Sequence, residues 1–278
     1  MKFAYAFTEK KNLHKLEQKK GKIEVFVKEL VDKVEKLTSY KVRPIEYFVL
    51  HDFASATKVH SHYPVPAWTT PERGVINFCP EEKRWQNIMK TNVKQLNLPE
   101  SAERNLLKHY DQWNLDFLLD DVVGHELCHL LEIFENLPDG MDWFEEGLCF
   151  YLPRRILSET KKELVKEIYQ QEMKLVSYSQ RWVKGHFLKD FSAYRTKLHN
   201  NLIIFLNDYH LAANATKELV DEIVDGDVRE VMQAAEQVSS EIEEPPEQVM
   251  KTFIKKLFER FNLDQEKFGS FVRKFRIF

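Results

Sequence analysis

Five consecutive residues, His125-Glu126-Leu127-Cys128-His129, set two imidazoles four positions apart with a carboxylate directly after the first. On a helix, the i, i+4 spacing stacks both imidazoles on one face, about one turn apart. Two ring nitrogens so placed can share one metal ion, and zinc takes imidazole nitrogen at roughly 2.0–2.1 Å. Glu126 lies about 100° around the helix from His125. There it flanks the metal, where it can take a proton from an attacking water and pass it to a leaving amine. A catalytic zinc usually has three protein ligands and one open position. Downstream, Trp143-Phe144-Glu145-Glu146-Gly147 offers two carboxylates for the third. Glu146 is preferred to Glu145, because Gly147 beside it lets a second helix approach the first closely. The expected centre is one zinc per chain on His125, His129 and Glu146, with Glu126 as general base. Chance alone gives the first motif in roughly a few per cent of chains of this composition, so the second motif carries much of the weight.

Two helices must hold these residues. Phe117, Leu118, Val122, Leu127, Leu130, Leu131 and Phe134 supply apolar positions over several turns, and Pro138-Asp139-Gly140 reads as the end of that element. The second helix is predicted to start after Asp142 as N-cap and to run to about Leu152, where Pro153 breaks it.

The pair of motifs, HELCH followed by WFEEGLCFYL, resembles the gluzincin metallopeptidases, especially the aminopeptidase N-like branch and small relatives in the thermolysin-like clan. Sixteen residues separate His129 from Glu146, slightly fewer than in the family, and Cys149 stands where the family has alanine. The resemblance implies an α+β, thermolysin-like fold with the zinc site between two lobes of one catalytic domain. A small sheet-bearing N-terminal lobe would cover residues 1–115 and a mainly helical lobe residues 116–278. It also implies a zinc-dependent peptidase acting on a peptide or protein. Residues 192–210 look like the family's later helix, which makes Tyr194 the implied donor to the oxyanion, with Tyr209 and His186 as alternatives. Residues 73–78 look like the edge strand that aligns an extended peptide beside the zinc, a recognition mode in which the peptide adds a strand. The family's exopeptidase segment of GxMEN type is missing, so capture of a free amino terminus is not implied.

Two other readings compete. A binding or regulatory protein could keep the fold without proteolysis, but such a protein has no need of Glu126. A deformylase-like amidase would place Cys79 on the metal, yet the glycine-rich segment of those enzymes is missing.

Composition narrows the field. Hydrophobic residues make up 43% and aromatics 13%, enough for a packed core. Net charge is −3 with both signs mixed along the chain, so no basic stripe suggests a nucleic-acid partner. The start lacks an apolar leader segment, and no run approaches the roughly 18 apolar residues needed to span a bilayer. Cys79, Cys128 and Cys149 read as reduced core thiols, and a cytoplasmic location is expected.

The remaining elements follow from periodicity. Residues 1–40 read as a helix after a short start, and residues 45–50 and 75–78 as strands. Residues 63–68, marked by Pro64 and Pro66, read as irregular. Helices are expected over 159–176, 197–209, 217–224, 228–237 and 249–261, followed by a Phe-rich tail. His60 and His62 read as loop surface, Cys128 as core, and Glu132 as surface charge or an outer partner of the metal.

Overall fold

The computed structural model describes residues 1–58, 65–179, 188, 191, 202–242 and 246–277. Its first element is a strand, β1 (Lys2–Ala6), in the stretch read as the short start of a helix. Five residues are too few to declare a strand when the partner lies some 45 positions on: Lys2 pairs with Tyr47. Helix α1 (Lys10–Thr38) follows, with Leu16, Ile23, Val27, Leu30 and Val34 forming its buried stripe. Ser39 ends it in the left-handed region at φ 68°, and its N–H donates to the Glu35 carbonyl.

The sheet has four strands in the order β1-β2-β4-β3, with β2 at Tyr47–His51, β3 at Ala67–Thr70 and β4 at Val75–Phe78. The first three in that order run parallel, and β3 runs antiparallel on the edge. Residues 73–78 therefore do not form the expected edge strand, because β4 lies between β2 and β3. The edge is Ala67–Thr70, inside and just past the stretch read as irregular. Pro66 is the last proline of that stretch, and from Ala67 onward the backbone is free to pair with β4.

After β2 comes the short α2 (Phe53–Lys58), and after β4 the packed pair α3 (Glu82–Gln95) and α4 (Glu100–Asp111). The helix carrying HELCH starts as α5 (Leu115–Phe117), widens to π-helix over Leu118–Val123 and ends as α6 (Gly124–Cys128). It stops at His129, well before Pro138. The cause is tertiary: Leu131 is extended and bridges Val42, while Arg43 N–H donates to the Leu130 carbonyl and Glu132 N–H to that of Lys41. Those bonds replace the helical ladder.

Helix α7 (Asp142–Ser179) passes through Pro153 without breaking and kinks instead at Lys161 (φ −134°, ψ 48°). Pro153 is where the HELCH helix crosses: a Cβ on Gly124 would lie 2.7 Å from Pro153 Cβ. Gly147, expected to face HELCH, faces a different helix. A Cβ there would lie 2.7 Å from the Ala212 carbonyl oxygen and would also collide with Thr216. Gly147→Ala is expected to destabilise the fold by about 1–3 kcal/mol or more, read as a lower urea midpoint. An unchanged midpoint would show that the two helices separate freely.

The later helices are α8 (Leu202–Phe205), α9 (Asn207–Glu218), α10 (Val228–Ser239), α11 (Pro246–Arg260) and α12 (Gln265–Phe275). Asp225 and Gly226 take positive φ where α10 splits from what precedes it. The Phe-rich tail is itself a helix, capped by Asp264 and burying Phe271 and Phe275. One buried cluster joins Leu30 of α1, Phe48 of β2, Leu127 of α6, Phe144 of α7 and Phe253 of α11. The architecture is α+β, mostly helical with a small mixed sheet. Among the described residues, no helix is long and apolar enough to cross a membrane.

Candidate metal centre

Three potential ligand atoms converge where α6 meets the first turns of α7. His125 Nε2 and His129 Nε2 are 3.2 Å apart. Glu146 Oε2 lies 3.1 Å from the first and 3.5 Å from the second. A tetrahedral zinc with bonds of roughly 2.0–2.1 Å would set its ligand atoms roughly 3.3–3.4 Å apart. The triangle is of that size. Among the described residues, no other three His, Cys, Asp or Glu side chains converge as closely. All three line a cavity of about 480 Å³.

No protein-family model, curated protein or solved structure matches the chain. The centre's chemistry therefore has to be read from its own atoms. Burial opposes charge on His129, but Cys149, Glu146 and Glu145 together outweigh it and raise its pKa well above the ordinary value. Burial likewise opposes ionisation of Glu146, and the two histidines outweigh it and hold the carboxyl well below its usual range. Both directions describe a site arranged for positive charge among these groups, which a divalent cation also supplies.

The two adjacent glutamates, about 100° apart around α7, divide the work. Glu146 points into the triangle. Glu145 Oε1 accepts from His129 Nδ1 at 2.7 Å, so on binding a metal the neutral ring would turn its Nε2 lone pair to the ion. The Glu-Glu pair was visible in the sequence, but this division of roles was not. Glu145→Ala is expected to weaken zinc binding by about 10–100-fold in a chelator competition titration. Unaltered affinity would make Glu145 a bystander. His125 lacks such a support: its Nδ1 is buried with no hydrogen-bond partner among the described residues. Its ring instead packs on Phe150, centroids 4.1 Å apart.

Glu126 borders the same cavity. The Thr69 hydroxyl of the edge strand lies 2.8 Å from Glu126 Oε2 and 2.9 Å from the Glu126 carbonyl, so its single proton serves one of them at a time. Among the described residues, no hydrogen bond holds Oε1 of Glu126. The edge strand is fixed from behind as well. His51 donates from Nε2 to Asn77 Oδ1 at 3.0 Å, and its ring packs on Trp68 at 4.7 Å.

Tyr209 lines the cavity, with its ring edge-on to Phe150 at 6.5 Å. Tyr194 and His186 lie outside the described residues, as do His60 and His62. Cys79 is buried away from the triangle, and burial pushes its thiol up to about 12. Cys128 is fully buried in the core. Glu132 accepts from the backbone N–H of Lys41 instead of supporting a ligand.

Sequence reasoning missed the ion network behind the centre. Arg154, 1% exposed, donates to both oxygens of Asp121 (2.6 and 3.2 Å) and both oxygens of Glu172 (2.9 and 2.7 Å). Its guanidinium also covers the Phe150 ring at 4.7 Å, so Phe150 is held between Arg154 and His125. The available signal was spacing: Glu146, Phe150 and Arg154 follow one another at i, i+4 along α7. Burial opposes ionisation of Glu172, yet Arg154 and His210 outweigh it and hold the carboxyl down to about 2. A carboxyl with a depressed folded-state pKa stabilises above its unfolded value, and that stability drains away as pH falls toward about 2. Arg154→Ala, which strands two buried carboxylates, is expected to cost about 3–5 kcal/mol at neutral pH. A urea midpoint equal to wild type would refute this.

Proposed function

We propose that the protein is a zinc-dependent peptidase of the thermolysin-like gluzincin type. One observation carries the reading: a His125–His129–Glu146 triangle of zinc-ligand size, with Glu126 on the same cavity and its Oε1 held by no hydrogen bond among the described residues. When bound, zinc would polarise the scissile carbonyl and acidify water. The chain's residues do the rest. His125, His129 and Glu146 hold the ion, and Glu145 fixes the His129 ring. Glu126 takes the proton of the attacking water at Oε1 and delivers it to the leaving nitrogen. An extended substrate lies along the outer edge of β3, added as a further strand. Tyr209 on the cavity wall, or Tyr194, donates a hydrogen bond from its hydroxyl to the oxyanion. Three buried, unpaired cysteines suit a reducing compartment such as the cytoplasm.

The test is to incubate zinc-loaded protein with a diverse peptide mixture and read the products by mass spectrometry. Cleavage that stops on chelation and returns with zinc is expected. A loaded protein that cuts nothing would overturn the reading in favour of a binding protein.

A further inference from the structure

The cavity holding the metal centre is unevenly charged. Six carboxylates line it: Asp121, Glu126, Asp142, Glu145, Glu146 and Glu172. Among the described residues, no lysine or arginine does. Arg154, behind the wall, sets one positive charge against Asp121 and Glu172 together. With a divalent ion on its three ligands, the carboxylates among the described residues still outnumber the positive charges there by three. A low-dielectric cleft lined by one sign of charge concentrates its field on whatever enters.

The end near Glu172 also holds buried ring nitrogens that have no hydrogen-bond partner among the described residues. His210 Nδ1 stands 3.2 Å from Glu172 Oε1 as an ion-pair contact, without the alignment of a hydrogen bond, and His210 Nε2 has no hydrogen bond among the described residues. Nor, among the described residues, has His109 Nδ1. Both histidines are more than nine-tenths buried and both line the cavity. Burial lowers the His109 pKa, with Glu172 opposing, so the ring is neutral and offers a lone pair. Buried polar groups without partners are costly, and a ligand that satisfies them recovers that cost. Aromatic faces complete the lining. Tyr110 and Trp113 meet edge to face at 5.1 Å, and Trp113 stacks on Phe117 at 5.3 Å. Carboxylates, the His109 lone pair and ring faces are what an ammonium or guanidinium group requires.

We propose that the end of the cavity walled by His109, Glu172 and His210 is a subsite for the cationic head of a substrate lysine or arginine side chain. The proposal rests on the peptidase reading for the identity of the substrate as a peptide, but its test reads binding and needs no turnover. Zinc-loaded Glu126→Gln protein is titrated in a calorimeter with short peptides, acetylated and amidated at their ends. The peptides differ at one position, moved along the series, which carries lysine, norleucine or glutamate. At one position, the lysine peptide should bind at least ~10-fold tighter than its norleucine twin, and the glutamate peptide weakest. The ratio should shrink at high salt and in an added Glu172→Gln variant. Equal affinity for lysine and norleucine at every position overturns the subsite, whether or not the Glu172 variant folds. If lysine is preferred but the wild-type protein cuts no peptide, the subsite stands and the peptidase reading falls.

Discussion

Glu126→Gln is expected to lower kcat/KM for peptide hydrolysis by ~10²–10⁴-fold, the usual weight of a positioned general base. The amide keeps the size of the carboxylate, and its oxygen can still accept from the Thr69 hydroxyl, which lies 2.8 Å from Oε2 in the parent. What it loses is the ability to take a proton. Zinc content and thermal midpoint should therefore match the parent, which separates a chemical defect from a folding one. A variant that cleaves as fast as wild type would remove Glu126 from the mechanism.

Glu146→Ala is expected to lose the metal. Glu146 Oε2 stands 3.1 Å from His125 Nε2 and 3.5 Å from His129 Nε2, so it is the third corner of the ligand triangle. Removing a supporting partner of a ligand typically costs 10–100-fold in affinity, and removing the ligand itself should cost more than ~10². Elemental analysis after dialysis against a chelator should find about one zinc per chain in wild type and almost none in the variant. Full retention would mean that another donor completes the site.

The HELCH centre was legible in the sequence because its geometry is local. Four positions on a helix fix where His125 and His129 point, whatever surrounds them. The choice between Glu145 and Glu146 is of another kind. Their neighbourhood lets either approach the metal, and the roll of α7 decides. That roll is set by two crossings, Gly124 on Pro153 and Gly147 on Ala212 and Thr216. Glu146 is the one that meets the histidines, yet Gly147 beside it faces α9, and it is Gly124 that admits the HELCH helix.

The sheet shows the same limit. Strand β1 pairs with residues 47–51 and β3 with residues 75–78, so neither is specified by its own short run. The Arg154 network was invisible for a related reason. Asp121, Arg154 and Glu172 are ordinary charges in one dimension; the break in α7 at Lys161 brings Glu172 back to Arg154, and packing of α7 against the π-helical stretch before HELCH adds Asp121. The β1 and Arg154 misses concern partners distant along the chain, whereas β3 pairs with its near neighbour β4 and was hidden by the prolines just before it.

The most direct test of the central claim is X-ray absorption at the zinc edge of the zinc-loaded wild-type protein. The expected result is nearest neighbours of nitrogen and oxygen only, at roughly 2.0–2.1 Å, with outer scattering from two imidazoles. Cys149 contacts the ligand His129, so a thiolate donor is a real competitor. A sulfur scatterer at roughly 2.3 Å would contradict the His125–His129–Glu146 centre.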